Sequence, residues 1–195
     1  MTYDPLPDGE LAAVVTYLEM THPPVGVVPQ WELQLRRVDH PSAGRYRDLF
    51  RLVGAPWLWF SRLVMDDAEL EAIIRDPAVE LYAVRQGDRD VGMLELDFRE
   101  PGQCELAFIG LIPELAGKGH GRWLLAEALH RAWRDAVARV HVHTCSLDHP
   151  AALSAYRRAG FTPYKRAIER FPDPRLSGVL PKDCASQVPL LGTDG

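Results

Sequence analysis

The chain is poor in cysteine, with Cys104, Cys145 and Cys184 as its only three in 195 residues. An odd set without metal-ligand spacing argues against a disulfide framework and against a metal site, and we expect reduced thiols in a cytoplasmic protein. A basic excess is also missing. The formal net charge of −5 argues against nucleic acid as the main partner, because a phosphate backbone requires a basic face. The same balance leans toward a cationic substrate. No apolar run approaches the roughly 20 residues that span a bilayer, so no membrane partner is expected. The first residues carry Asp4, Asp8 and Glu10 where a signal peptide would place a basic region and an apolar run. Repeats and low-complexity tracts are absent. What is present suits a globular protein with a sizeable core: 47% hydrophobic and 25% charged residues, in a length for one domain with appendages.

The densest signal is Leu111-Ile-Pro-Glu-Leu-Ala-Gly-Lys-Gly-His-Gly-Arg-Trp-Leu-Leu125. An apolar run stops at Pro113, glycines alternate at 117, 119 and 121, and an amphipathic helical pattern begins at once. Such glycines let the backbone turn tightly and expose consecutive N–H groups. The helix start adds its own unpaired amides and the positive end of its dipole. Strand, glycine loop and helix N-terminus together predict an anion cradle suited to phosphate or pyrophosphate. A Rossmann fingerprint would need its third glycine one position later and an acidic residue about twenty residues on. A Walker A loop would need Gly-Lys-Ser/Thr. Neither is met.

Around this loop the patterning alternates strands and helices. Residues 11–20 read as a strand, and Trp31–Val38 alternates apolar and polar residues as a second, so the two predict a hairpin across the Pro-rich segment 22–29. Pro41 and Ser42 open a helix through about Leu52, which Gly54–Phe60 breaks. Asp66 or Asp67 caps a second helix ending near Arg75. Val79–Arg85, Val91–Phe98 and Cys104–Ile112 predict an antiparallel meander. A long helix over 121–138, a strand over 140–145, a helix over 149–159 capped by Gly160, and a strand over 161–171 complete the pattern. The tail from Pro172, rich in Pro, Ser and Gly, either wraps the surface or is mobile.

Two motifs in register resemble the GNAT superfamily of acyl-CoA-dependent N-acyltransferases. Ala116-Gly-Lys-Gly119-His-Gly121 is similar to its Arg/Gln-x-x-Gly-x-Gly/Ala motif, with Ala116 in place of Arg or Gln. His149-Pro-Ala-Ala-Leu-Ser-Ala-Tyr-Arg-Arg-Ala-Gly-Phe161 is similar to its Asn-xx-Ala-xxx-Tyr-xxx-Gly-Phe, with His149 in place of Asn. The likeness covers about residues 32–171. It implies an α/β fold of the α+β type: a mixed, mostly antiparallel central sheet flanked by helices, with splayed fourth and fifth strands. The domain would comprise residues 1–171, with 1–31 an N-terminal extension or extra strand, and 172–195 a C-terminal tail.

The implied activity is N-acetyl transfer from acetyl-CoA to a primary amine of a small molecule or polypeptide, without a covalent enzyme intermediate. A non-catalytic acyl-CoA-binding sensor is the alternative. Ala116, Gly117, Lys118, Gly119, His120, Gly121 and Arg122 would then hold the pyrophosphate. Backbone groups of Ile109, Gly110 and Leu111 would pair with the pantetheine arm and polarise the thioester carbonyl. Direct transfer needs a neutral amine. Bringing an amine of pKa near 10.4 to its free base at pH 7 costs about 4.6 kcal/mol, so a base contributes greatly. Glu95, Asp97, Glu105 and His143 are candidates. Glu105 is preferred, since the family often uses an acidic residue on its fourth strand. Tyr156 falls where a phenol contacts the thioester sulfur and protonates the departing thiolate. Trp57, Trp59 and His143 are expected to border the acceptor. The family often forms dimers, although no strand edge here announces a homodimer interface.

Overall fold

The computed structural model describes residues 3–192. In chain order its elements are β1 (Glu10–Met20), β2 (Gln34–Arg37), α1 (Ala43–Gly54), α2 (Asp67–Ile74), β3 (Val79–Gln86), β4 (Arg89–Asp97), β5 (Gln103–Leu111), α3 (His120–Ala132), β6 (Arg139–Cys145), α4 (Ala152–Arg158) and β7 (Thr162–Pro172). The strands form one sheet in the order β2-β3-β4-β5-β6-β1-β7, antiparallel except for the β5–β6 pair. It is the expected mixed, mostly antiparallel sheet. One face is covered by α3 and α4 through a core containing Leu96, Leu106, Leu124, Ala128, Val142 and Tyr156. A second core joins α1 and α2 to the other face through Phe50, Leu70, Leu81 and Met93.

The local signals are realised closely. The Ser42 side chain accepts from the Arg45 amide at the start of α1. Asp66 and Glu69 form a reciprocal capping box at α2, which satisfies two otherwise orphaned amides. The α3 helix is shorter than expected. It stops at Ala132, where Trp133 turns extended, and Trp133 and Val137 pack against the core from the following loop. The helical period of those residues is therefore core packing from a loop. The second strand is also shorter, only four residues.

The expected hairpin between the first two strands is not formed. β2 lies at one edge of the sheet, whereas β1 inserts between β6 and β7 and pairs along its length with β7 and over Val15–Met20 with β6. The connecting segment contains Pro23, Pro24 and Pro29, which is too long and too stiff for a tight turn. Placed between two strands, β1 satisfies backbone groups on both its edges.

Beyond β7 the chain packs back on the domain. Asp173 and Arg175 form an ion pair with side chains 2% and 1% exposed. The Arg175 guanidinium also donates to the Val188 carbonyl at 2.9 Å. Leu180 and Ala185 are buried against Leu58, and the Gln187 side-chain amide donates to the Pro56 carbonyl at 2.7 Å. The tail thus seats on the connection between α1 and α2.

Candidate active site

The site originates in a defect of the sheet. β5 and β6 pair only over Gln103–Glu105 and Arg139–His141. Two residues further, the β4–β5 register shifts, with Glu95 opposite Phe108 and Leu96 opposite Leu106. Ala107 is therefore an extra residue on β5. A bulge bends its strand and increases local twist, and β5 diverges from β6 from this point. The opening is a cleft of about 1300 Å³, bordered by β5, the glycine loop, α3, β6 and α4. The splay expected for the fourth and fifth strands falls between β5 and β6, because β1 precedes the family's first strand.

The glycine loop forms one end. Gly117 and Gly119 take φ of +77° and +86°, conformations that strain any residue with a Cβ. Among the described residues, the amides of residues 117 to 121 have no hydrogen-bond partner, whereas those of Arg122 and Trp123 bond the Gly119 carbonyl. Five consecutive free donors at a helix N-terminus form an anion cradle. Ala116, Gly117, Gly119, Gly121 and Arg122 line the cleft, as do Ile109, Gly110 and Leu111. Lys118 and His120 do not. The His120 side chain is buried and turned inward, its Nδ1 accepting from the Trp31 indole at 2.7 Å. It fixes the loop to the segment before β2 and leaves only its amide for a ligand.

At the other end lie Trp57, Trp59, His143, Asp148 and Glu169. Trp59 reaches the cleft because Leu58 holds a left-handed φ of 58° and Gly54 makes room: a Cβ there would lie 2.5 Å from the Trp59 side chain. The Trp59 indole donates to Asp148 at 3.0 Å. Asp148 also accepts from the Thr144 hydroxyl and the Cys145 amide, both at 2.8 Å. Trp57 meets His149 edge-on at 5.1 Å.

Tyr156 lines the cleft and is nearly fully buried. Burial, and the nearby Asp148 charge, push its phenol well above the ordinary value. Among the described residues its hydroxyl has no hydrogen-bond partner. Cys145 also borders the cleft, but burial raises its thiol to about 11. The thiolate is then on the order of one part in 10⁴ at pH 7, too scarce for a nucleophile.

Glu105 does not line the cleft. It sits on the last paired turn of the β5–β6 ladder, and its carboxylate contacts His143 Nδ1 at 3.2 Å. That hydrogen bond holds Glu105 below the ordinary carboxylate value and His143 above the ordinary imidazole value. His141, its neighbour on the same face, is pushed down by burial. Glu95 is fully buried beneath the cleft, where it accepts from the Tyr46 hydroxyl and from Arg62 at 2.8 Å. Burial raises its carboxyl. Arg62 lies 5.4 Å from the centre of the Phe108 ring, so this buried group supports the cleft wall. Asp97 is committed to Arg99. No cluster of metal-ligating side chains occurs among the described residues, and none of their helices is long and apolar enough to cross a membrane.

Phe108, Asp148 and Glu169 escape sequence reading. Phe108 lines the cleft beside the bulge at Ala107, and its apolar side chain reads as ordinary strand core. Asp148 carries one signal, an acidic residue between a strand end and His149-Pro150, where a side chain caps the backbone. Glu169 is one of several alternating charges on the last strand.

A match to the acetyltransferase (GNAT) family covers residues 46–161, more than half of the chain. The chain belongs to the GNAT family of acetyltransferases. Similar solved structures include a GCN5-related N-acetyltransferase from Sphaerobacter thermophilus, with a TM-score of 0.58 and 20% identity over 85% of this chain and 52% of that one. An aminoglycoside acetyltransferase from an uncultured soil metagenomic sample gives 0.56 and 16% over 70% and 93%. An IAA acetyltransferase from Bacillus cereus gives 0.52 and 20% over 68% and 79%. At these identities the likeness shows the fold. The chain spans about half the length of the Sphaerobacter protein. No curated protein matches its sequence.

Proposed function

We propose that this protein transfers an acetyl group from acetyl-CoA directly to a primary amine of a small molecule or polypeptide. The observation that carries the reading is one continuous cleft, in which Gly117, Gly119 and Gly121 of the loop with five unpartnered amides share a cavity with the unpaired edge of β5. The first feature suits a pyrophosphate and the second an extended amide-bearing arm. The residues fit the group. Gly117 to Gly121 supply backbone donors, Arg122 a cation, and the Ile109–Leu111 backbone the amides that pair the arm and polarise the acyl carbonyl.

Charge is segregated along the cleft. The cations Arg122 and Arg158 stand on α3 and α4, whereas the carboxylates Asp148 and Glu169 stand at the end near β6 and β7. An anionic donor is thereby favoured at one end and a cationic acceptor at the other, in keeping with the net charge of −5. Trp57 and Trp59 wall the acceptor end. Burial raises the Cys145 thiol to about 11, which is in keeping with direct attack by the amine.

Tyr156 contributes a hydrogen bond at the departing sulfur. Its raised pKa works against full proton transfer to a thiolate whose own acid titrates near 8.5. A neutral phenol O–H pointed at developing negative charge still stabilises it. The test is release of free thiol from acetyl-CoA with n-butylamine, spermidine and kanamycin as acceptors. Amine-dependent release supports the reading. Binding of acetyl-CoA with no transfer to any of the three makes the protein a sensor and overturns it.

A further inference from the structure

The sheet has two sides at the cleft, and the two candidate proton-handling side chains lie on opposite ones. Along β6, Val140 and Val142 face the α3–α4 core that contains Tyr156, so His141 and His143 face the other way. The gap between β5 and β6 connects the two sides. His143 lines the cleft, while Glu105 stands behind it with a contact to Nδ1 at 3.2 Å. With Nδ1–H donating to Glu105, Nε2 is left with its lone pair.

From this arrangement we propose that His143 is the general base of the transfer and that Glu105 is its positioning residue, acting through Nδ1. The inference rests on the acetyltransferase reading. As the amine nitrogen bonds the acyl carbon, its proton passes to His143 Nε2. The carbon–sulfur bond breaks with its electron pair on sulfur, and the His143 proton is then lost to solvent. Glu105 fixes the ring and stabilises the imidazolium, as a carboxylate behind a catalytic histidine does.

β1 adds a third part. Tyr17 sits opposite His143 in the ladder and its ring lies 5.7 Å from the imidazole. The ammonium of Lys165 on β7 lies 4.8 Å from the centre of the same Tyr17 ring. The charged and titratable groups bearing on His143 are Glu105 from β5, His141 from β6, Tyr17 from β1 with Lys165 of β7 over its ring, Asp148 from the following turn, and Glu169 from β7. Glu105, Asp148 and Glu169 favour the imidazolium, while burial opposes it. The result is an imidazole held above its ordinary value, a stronger base than a free one.

The experiment is the pH profile of kcat for acetyl transfer to n-butylamine, beside calorimetric acetyl-CoA binding and an NMR titration of the histidines. In the wild type the imidazole of His143 is expected to titrate above 6.5, and the rate to fall on the acid side of that value. His143→Gln should lower kcat by about 100-fold or more, remove the acid limb, and leave acetyl-CoA binding unchanged. Glu105→Gln should lower the His143 pKa and move the acid limb down with it, and Glu105→Asp should restore part of the rate. A His143→Gln enzyme with wild-type kcat and an intact acid limb overturns the assignment and leaves the acetyltransferase reading standing. Tight acetyl-CoA binding without transfer by the wild type to n-butylamine, spermidine or kanamycin overturns both.

Discussion

Replacing Arg175 by methionine should detach the C-terminal tail while the sheet stays folded. Arg175 and Asp173 are almost completely buried, and the guanidinium contacts Asp173 through Nε at 3.0 Å and Nη2 at 2.7 Å. Removing one partner of such a pair leaves an uncompensated buried charge, at a cost of about 3–5 kcal/mol. The Val188 carbonyl loses its donor as well. Against this, the apolar anchor of the tail is chiefly Leu180, and full burial of one leucine contributes about 1.5–3 kcal/mol. The loss exceeds the anchor, so the tail undocks locally. Amides bonded within the tail, those of Leu176, Leu180, Cys184 and Val188, should exchange with deuterium roughly 100- to 5000-fold faster. Amides of β3 and β4 should be unaffected. The double variant Asp173→Asn with Arg175→Met, which leaves no buried charge, should recover most of the protection. Uniform acceleration across the sheet, or equal effects of the single and double variants, would refute the reasoning.

Further expectations follow from particular backbone and side-chain environments. Gly119→Ala forces a Cβ into φ +86° and should cost about 1–2 kcal/mol, lowering Tm by about 2–8 °C for a domain of this size. Gly121→Ala, inside the first turn of α3 with open space around its Cβ, should instead raise Tm slightly, since alanine favours a helix over glycine by up to about 1 kcal/mol; equal shifts from the two would contradict the loop conformation. Tyr156→Phe should lower kcat about 10- to 100-fold, the loss of one hydrogen bond to a charged sulfur, with acetyl-CoA affinity unchanged by calorimetry. The Glu105–His143 contact also has a pH signature in stability. Glu105 is lowered from 4.5, so its contribution is present above that value and lost as pH falls through the folded value. His143 is raised from 6.5, so its contribution is present below that value and lost as pH rises through the folded one. The destabilisation of Glu105→Gln in urea melts should therefore peak between about pH 4.5 and 6.5 and shrink on either side.

Local chemistry made much of this fold legible. Ser42 and Asp66 mark their helix starts by side-chain capping, and Gly87 and Gly160 mark turns by positive φ. Such signals depend on neighbours in the chain, and they survive folding. The position of β1 does not follow from local signals. Its β-branched, apolar composition states that it is a strand, while its partners, β6 and β7, lie over a hundred residues away. The early end of α3 was hidden for a related reason, because Trp133 and Val137 serve the core equally well from a loop. At the site, the cradle was readable from three glycines whose spacing dictates exposed amides. The inward turn of His120 toward Trp31 was not, since an imidazole beside a glycine loop carries no sign of which way it faces. Glu105 lies on the predicted strand, but its separation from the cleft comes from pairing with His141 in the closed part of the β5–β6 ladder, a long-range pairing for which the sequence has no marker.

The most direct test of the central claim is a calorimetric titration of the wild-type chain and its Gly119→Glu variant with acetyl-CoA, with circular dichroism to verify that both are folded. The free amides of residues 117 to 121 predict micromolar binding by the wild type. A carboxylate placed in that cradle, at a position where a Cβ is already strained, predicts its loss. A folded wild type that gives no heat, or a folded variant that binds as tightly, would contradict the account.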